Sequence, residues 1–277
     1  MSAPVVLVIE HEDGTGPALV GERLLRAGLR LDLRRAWNGD PLPDDLTDHH
    51  GLLVLGGAMG PCEDERAPWL PAVRDLLREA VARDVPTLGI CLGMELLTVA
   101  CGGRVEHASH PEVGLVELTP LPACSTDVVF TALQGSPPAV QWHWEETMTL
   151  PHGAIPLLTS EHCTHQAYRL GNRVWGVQFH PEVLAAQIAR WGDDDAPLRA
   201  LGLDPAQVVR EVDRAEDTLR SHWGAMADRW AAVVTASRPA RPSTPEAGTA
   251  ARHTTTAQGT GERPSPRIPE LASDDTA

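Results

Sequence analysis

A chain of 277 residues with a formal net charge of −15 can form one large domain or two small ones around a substantial core. That acidity argues against a nucleic-acid backbone or an anionic membrane surface as partner. Five cysteines with no Cys-x-x-Cys spacing argue against a disulfide framework, no 18-residue apolar run suggests a membrane span, and Met1-Ser2-Ala3-Pro4 lacks the basic flank of a secretory signal. A cytoplasmic setting with free thiols is expected.

Val5 to Ile9 is an apolar run of strand length, and the polar, Gly-containing stretch Glu10 to Pro17 is a loop. Leu19, Val20, Leu24 and Leu25 recur at helical spacing within Ala18 to Ala27, with Gly28 as a stop. Leu29 to Leu33 alternates like a strand, and Gly51 to Leu55 is a continuous apolar strand. The glycines of Gly56-Gly57-Ala58-Met59-Gly60-Pro61 can turn backbone N–H groups toward a ligand, or serve only as a strand-to-helix turn. Leu70, Val73, Leu76, Leu77, Ala80 and Val81 form one stripe of a helix over Trp69 to Arg83. Val85 to Ile90 is a further buried strand, and Met94 to Ala100 a helix. Apolar strands separated by helices predict a parallel sheet covered on both faces.

After Gly102-Gly103 the segments shorten. Val113 to Leu118, Val128 to Phe130, Val140 to Trp142 and Ile155 to Thr159 read as strands of a more antiparallel region. Ala167 to Leu170, Gly171-Asn172 and Arg173 to Phe179 read as a hairpin. Val183 to Trp191 is a helix, and Pro205 to Val234 another, with a break near Gly224. Gly192 to Pro197 reads as a surface loop in which Asp193-Asp194-Asp195 is solvated. The fold expected is α/β, a mostly parallel central sheet flanked by helices in the flavodoxin-like style. It spans residues 1–236, and the Pro-, Thr- and Ser-rich residues 237–277 form a disordered tail.

Cys91 stands between a strand and a helix, with Gly89 and Gly93 beside it. That is the pattern of a nucleophile elbow, with the thiol exposed above the sheet and its thiolate favoured by the helix N-terminus. The plainer reading is a small buried hydrophobe. His180 follows a strand, and Glu182 comes two residues later, after the rigid Pro181. An imidazole can take a thiol proton near neutral pH, and a carboxylate can orient it. Backbone N–H groups of Gly57 and Leu92 can face an oxyanion.

These motifs carry a family resemblance. Leu53-Val54-Leu55-Gly56-Gly57-Ala58-Met59-Gly60, Gly89-Ile90-Cys91-Leu92-Gly93-Met94-Glu95-Leu96-Leu97 and Gly176-Val177-Gln178-Phe179-His180-Pro181-Glu182 resemble class I (triad) glutamine amidotransferases. The likeness is to the free-standing type similar to the glutaminase domain of GMP synthase, and it covers about Val5 to Trp230. Pro111-Glu112-Val113-Gly114, Gln141-Trp142-His143-Trp144-Glu145 and His165-Gln166-Ala167-Tyr168-Arg169 support it.

The resemblance implies that glutamine is hydrolysed through a γ-glutamyl thioester on Cys91, with His180 as base and acid and Glu182 as orienter. Gly57 and Leu92 match the oxyanion-hole positions, and Trp142, Trp144 and Glu145 fall in a segment that holds the substrate's amino-acid end. One position departs: the family usually carries Gln four residues after the cysteine, where this chain has Glu95. An amide donates and accepts, whereas a carboxylate only accepts. A γ-glutamyl amide or peptide other than glutamine is therefore an alternative substrate, and a catalytically silent binding module a second alternative. No cofactor or metal is expected: His162, Cys163 and His165, like His107 and His110, lack metal-site spacing, and Cys62, Cys101, Cys124 and Cys163 read as structural thiols. The chain carries no P-loop pattern, so an ammonia-accepting synthetase would be a separate chain.

Overall fold

The computed structural model of the chain describes residues 3–133, 135–191 and 196–237, without the side chains of residues 196 and 197. The elements run β1 (Val5–Glu10), α1 (Ala18–Arg26), β2 (Arg30–Arg35), β3 (Gly51–Val54), α2 (Leu70–Ala82), β4 (Thr87–Ile90) and α3 (Leu92–Ala100). They continue with β5 (Arg104–Glu117), β6 (Thr119–Pro120), β7 (Pro138–Thr149), β8 (Ile155–Thr159), β9 (Ala167–Leu170) and β10 (Val174–Val177). The chain then turns helical, as α4 (Ala185–Trp191), α5 (Ala196–Ala200), α6 (Pro205–Arg214) and α7 (Glu216–Ala236).

One sheet has the order β2-β1-β3-β4-β10-β9-β8-β6. Its strands from β2 to β10 pair in parallel, and β9, β8 and β6 extend it antiparallel. This is the expected α/β architecture, with the 2-1-3-4 order of flavodoxin-like sheets. The apolar runs bury both faces. Val6 and Val8 of β1 enter a core with Leu24 of α1 and Trp230 of α7, while Leu7 and Ile9 enter another with Val73 and Leu77 of α2. Successive strand residues point to opposite faces, so each run feeds both cores, and each fully buried aliphatic side chain contributes about 1.5–3 kcal/mol.

Glycines let α3 sit on the sheet backbone to backbone. A Cβ on Gly93 would lie 2.2 Å from the Val54 carbonyl oxygen, and one on Gly89 2.6 Å from the Gly93 carbonyl. No helix among the described residues is long and apolar enough to cross a membrane.

Several expectations change. Residues 128–130 form a turn rather than a strand, because Asp127 Oδ1 accepts the Val129 and Phe130 N–H groups at 2.9 and 3.2 Å. The C-terminal helical stretch breaks at Ala215, and α7 runs unbroken through Gly224. That glycine admits the Arg23 guanidinium instead, since a Cβ there would lie 2.6 Å from Nη2. The β-region is also longer than expected: β5 and β7 form a separate antiparallel pair of 14 and 12 residues. Of the expected loop 192–197, Ala196 and Pro197 open α5, and residues 192–195 with the three aspartates lie outside the described residues. Of the expected tail only Ser237 is described, and it is buried, with its Oγ donating to the Val233 carbonyl. Residues 238–277 lie outside the described residues.

Candidate active site

Four adjacent parallel strands, β1, β3, β4 and β10, end at one edge of the sheet. They deliver His11, Gly56-Gly57, Cys91 and His180 just beyond their carboxyl ends, where ligands of such sheets bind. A cavity of about 590 Å³ opens there, lined by Gly57, Cys91, Glu95 and His180 among others.

Cys91 adopts φ 50° and ψ −110°, a conformation that costs a non-glycine residue about 1–3 kcal/mol. Neighbouring backbone holds it there. Its N–H donates to the Val177 carbonyl at 2.8 Å, and its carbonyl accepts from the Glu95 N–H at 3.0 Å. The elbow is as expected, but the exposed, thiolate-favouring setting is not: Cys91 is only 6% exposed. Burial pushes its thiol well above the usual range, and the nearby carboxyls of Glu95 and Glu182 push the same way. A hydrogen bond from the Leu92 N–H opposes them without reversing the direction.

His180 and Glu182 are buried and joined by an Nδ1···Oε1 hydrogen bond of 2.8 Å. A proton on Nδ1, donated to the carboxylate, leaves Nε2 as an acceptor. Glu182 Oε2 has no partner among the described residues. The His180 ring packs edge-on against Trp191, with centroids 5.0 Å apart. Gly56 lies between histidine and cysteine, since a Cβ there would be 3.0 Å from His180 Cε1 and 3.6 Å from Cys91 Cβ. Gly57 is as confined: its Cβ would meet Met59 Sδ at 2.8 Å, His11 Cβ at 2.9 Å and Leu92 Cδ2 at 3.1 Å. The structure thus brings Gly57 and Leu92 together at the elbow.

Glu95 is 3% exposed and lines the cavity. Gln178 Nε2 donates to its Oε1 at 2.9 Å and lies 3.9 Å from Cys91 Sγ. Burial raises the Glu95 carboxyl to about 7, against the opposing effect of the Gln178 hydrogen bond. Trp142, Trp144 and Glu145 also line the cavity, and Trp142 meets both Trp144 and Trp191 edge-to-face.

Several residues near the site carried no assigned role in the sequence. Gln178 lies two residues before His180, so strand alternation was a signal that both face one way. Trp191 and His11 offered none. His11 is buried, its imidazole is lowered to about 3 by burial, and its Nδ1 accepts from Trp69 Nε1 at 2.9 Å. His143 lines the cavity and bonds Glu112 Oε2 through Nε2 at 3.2 Å and the Glu145 carbonyl through Nδ1 at 2.8 Å. Cys163 joins this pair rather than His162 or His165: ligand atoms of Glu112, His143 and Cys163 lie within 4.8 Å of one another. The Glu112 carboxylate already accepts from Ser160 Oγ at 2.8 Å and Gln166 Nε2 at 2.6 Å, so the cluster is a hydrogen-bonded network as it stands.

Residues 19–188 match the family "Glutamine amidotransferase class-I". The chain is 40% identical over 142 residues to one subunit of the glutamine-hydrolysing GMP synthase of Sulfurisphaera tokodaii, covering 51% of this chain and 72% of that one. Against the glutamine-hydrolysing GMP synthase of Porphyromonas gingivalis it is 32% identical over 143 residues, 51% of this chain, and spans only 26% of that protein's length. The crystal structure of a glutamine amidotransferase from Methylobacillus flagellatus superposes with a TM-score of 0.74 at 30% identity, covering 84% of this chain and 96% of that one. The match over residues 19–188 is more than half of the chain, and the chain belongs to the class-I glutamine amidotransferase family.

Proposed function

We propose that the chain hydrolyses the side-chain amide of glutamine through a γ-glutamyl thioester on Cys91, with His180 and Glu182 completing a triad. The observation that carries this reading is the 2.8 Å His180–Glu182 hydrogen bond beside a buried thiol in one cavity. The thiol rests protonated, so attack requires His180 Nε2 to take its proton as the amide carbonyl arrives. The imidazolium, stabilised by Glu182, then protonates the leaving ammonia. Water cleaves the thioester and restores the thiol. Gly57 and Leu92 donate backbone N–H groups to the oxyanion, and each such donor typically contributes about 2.7–4 kcal/mol.

Glu95, Trp142, Trp144 and Glu145 bind the substrate. A carboxyl titrating at about 7 is substantially protonated at neutral pH, and a protonated carboxyl donates and accepts as an amide does. Glu95 can thereby occupy the family's Gln position without repelling the substrate's carboxylate. The catalytic domain is assigned to residues 1–236, with 237–277 as a tail outside it, and the ammonia acceptor to a synthetase on a separate chain.

The test is release of glutamate and ammonia from free glutamine by the purified chain, with Cys91→Ser as control. Release that vanishes in the variant supports the reading. Equal release by both proteins overturns it. A second reading, hydrolysis of another γ-glutamyl amide by the same triad, is favoured by Glu95 and by the acidic residues that line the cavity beyond it.

A further inference from the structure

The cavity lining has an unusual balance of charge. Among its described residues there is no Lys or Arg, yet five Asp and Glu side chains line it. Two of them are partly accounted for. Glu63 Oε2 is held by the Gly60 N–H and by Arg66 Nη1, each at 3.0 Å, and Glu95 accepts from Gln178. The other three are Glu12, Asp13 and Glu145. Among the described residues Glu12 accepts only the neutral Ala58 N–H, Glu145 lies 3.4 Å from His107 Nδ1, and Asp13 makes no ion pair.

The second observation is independent of charge. Trp191, Trp142 and Trp144 form a chain of edge-to-face rings, with centroid separations of 5.7 and 6.5 Å, that begins against His180 and lines the cavity. Aromatic faces with carboxylates across a partly desolvated space make a cage for an ammonium ion. Aliphatic stems also pack on such rings. The third observation is a carboxyl group in the cavity wall with one oxygen left unbonded. Glu95 is only 3% exposed, and its second oxygen has no hydrogen-bond partner among the described residues. The cavity, at about 590 Å³, falls in the range that holds drug-sized ligands, well beyond a small amino acid.

We infer that the site takes a γ-glutamyl amide whose leaving amine carries a second, cationic nitrogen on an aliphatic chain, as a diamine does. This deepens the thiol amidohydrolase reading and rests on it. The γ-carbonyl sits at Cys91, and the amine chain runs along the tryptophans to the carboxylates. The thiol adds to the γ-carbon and the C–N bond breaks. His180 gives the leaving nitrogen its proton, and water hydrolyses the thioester. The net reaction consumes one water and yields glutamate and the free diamine. The supplying reaction is then one that joins glutamate to a diamine through its γ-carboxyl.

The experiment compares four substrates with the full chain: glutamine, γ-glutamylputrescine, the isosteric neutral γ-glutamylpentylamide, and the anionic γ-glutamyl-γ-aminobutyrate. The expected kcat/KM for the cationic amide exceeds that for the neutral one by about tenfold or more, equivalent to about 1.4 kcal/mol. Salt should narrow the gap. Asp13→Asn and Trp144→Leu should each shrink the cationic-to-neutral ratio, a readout that loss of folded protein does not move. Equal rates for the cationic and neutral amides, or a preference for the anionic one, overturn the inference and leave the triad reading intact. Hydrolysis of glutamine alone does the same. No turnover of any of the four, with Cys91 unreactive toward a glutamine-like electrophile, overturns both.

Discussion

Two buried histidine–glutamate pairs flank the same cavity, and they are built for different ends. In the His180–Glu182 pair the carboxylate takes Nδ1 at 2.8 Å, and its other oxygen has no partner among the described residues. Nε2 carries no hydrogen bond among the described residues. In the His143–Glu112 pair both ring nitrogens are committed, one to the carboxylate and one to the Glu145 carbonyl. Both oxygens of Glu112 are also occupied, by Ser160, Gln166 and the histidine. Burial is alike in the two pairs. On the proposed reading, what separates a proton-transfer site from a brace is whether a lone pair remains unspent.

The comparison is broken most sharply by removing each imidazole. His180→Ala should lower kcat for amide hydrolysis by on the order of 10⁴-fold with the fold intact by circular dichroism. His143→Ala should lose no more than about tenfold per folded molecule and show its effect in Tm instead. Comparable losses of kcat in the two variants would erase the distinction.

Exchanging each carboxylate for its amide sharpens it. Glu182→Gln should cost roughly 10³–10⁴-fold in kcat with little change in KM, because the imidazole loses its orienting charge. Glu112→Gln turns an NH₂ group toward donors that need an acceptor. It should destabilise the fold by about 3–5 kcal/mol, read as a Tm drop of roughly 6–15 °C.

The smallest effect concerns Glu95, which lies between the two pairs. Its carboxyl is raised from 4.5 to about 7 in the fold, so the folded state holds a proton that the unfolded state has released. The stability contributed by that proton is complete below pH 4.5 and is lost as the pH rises through 7. Glu95→Gln should therefore gain Tm over the parent at pH 8 and gain little at pH 5. For the parent, KM for glutamine should rise between pH 6 and 8, and the variant's should not. An unchanged pH profile in Glu95→Gln would remove Glu95 from substrate binding.

How much of this was legible in the sequence follows the same division. The parallel half was readable because each strand is buried on both faces, as in Val5 to Ile9 and Gly51 to Leu55, and apolar continuity is a strong signal. Cys91 was readable because it directly follows such a strand, and His180 and Glu182 because they come within five residues of the end of another. The β5–β7 pair was only half legible. Its outer residues, such as Glu106 and His107, are exposed and polar, so β5 could be read only from Val113 onward. Val128 to Phe130 has strand composition, but the preceding Asp127 takes their N–H groups. Glu112, His143 and the run from Ser160 to Gln166 come from three separate stretches, and no local pattern could assemble them. The protonation state of Cys91 was illegible for a related reason: a thiol's burial depends on Glu95, Gln178 and Glu182 around it, not on the elbow alone.

The seat of α3 on the sheet has a mechanical consequence. Gly89 and Gly93 let main chain meet main chain, and a contact between backbones has no rotamers through which to yield. Close-packed interiors of this kind compress little and pass strain on rather than absorb it. The spacing among Cys91, Gly57 and His180 therefore inherits the stiffness of four hydrogen-bonded strands. Moderate pressure or warming should disturb it less than it disturbs the side-chain packing elsewhere. The charge around the sulfur is held differently, by the rotatable side chains of Gln178 and Glu95. Position at this site is rigid while electrostatics are compliant, so acidity can be retuned by exchanging a side chain without relocating the attacking atom.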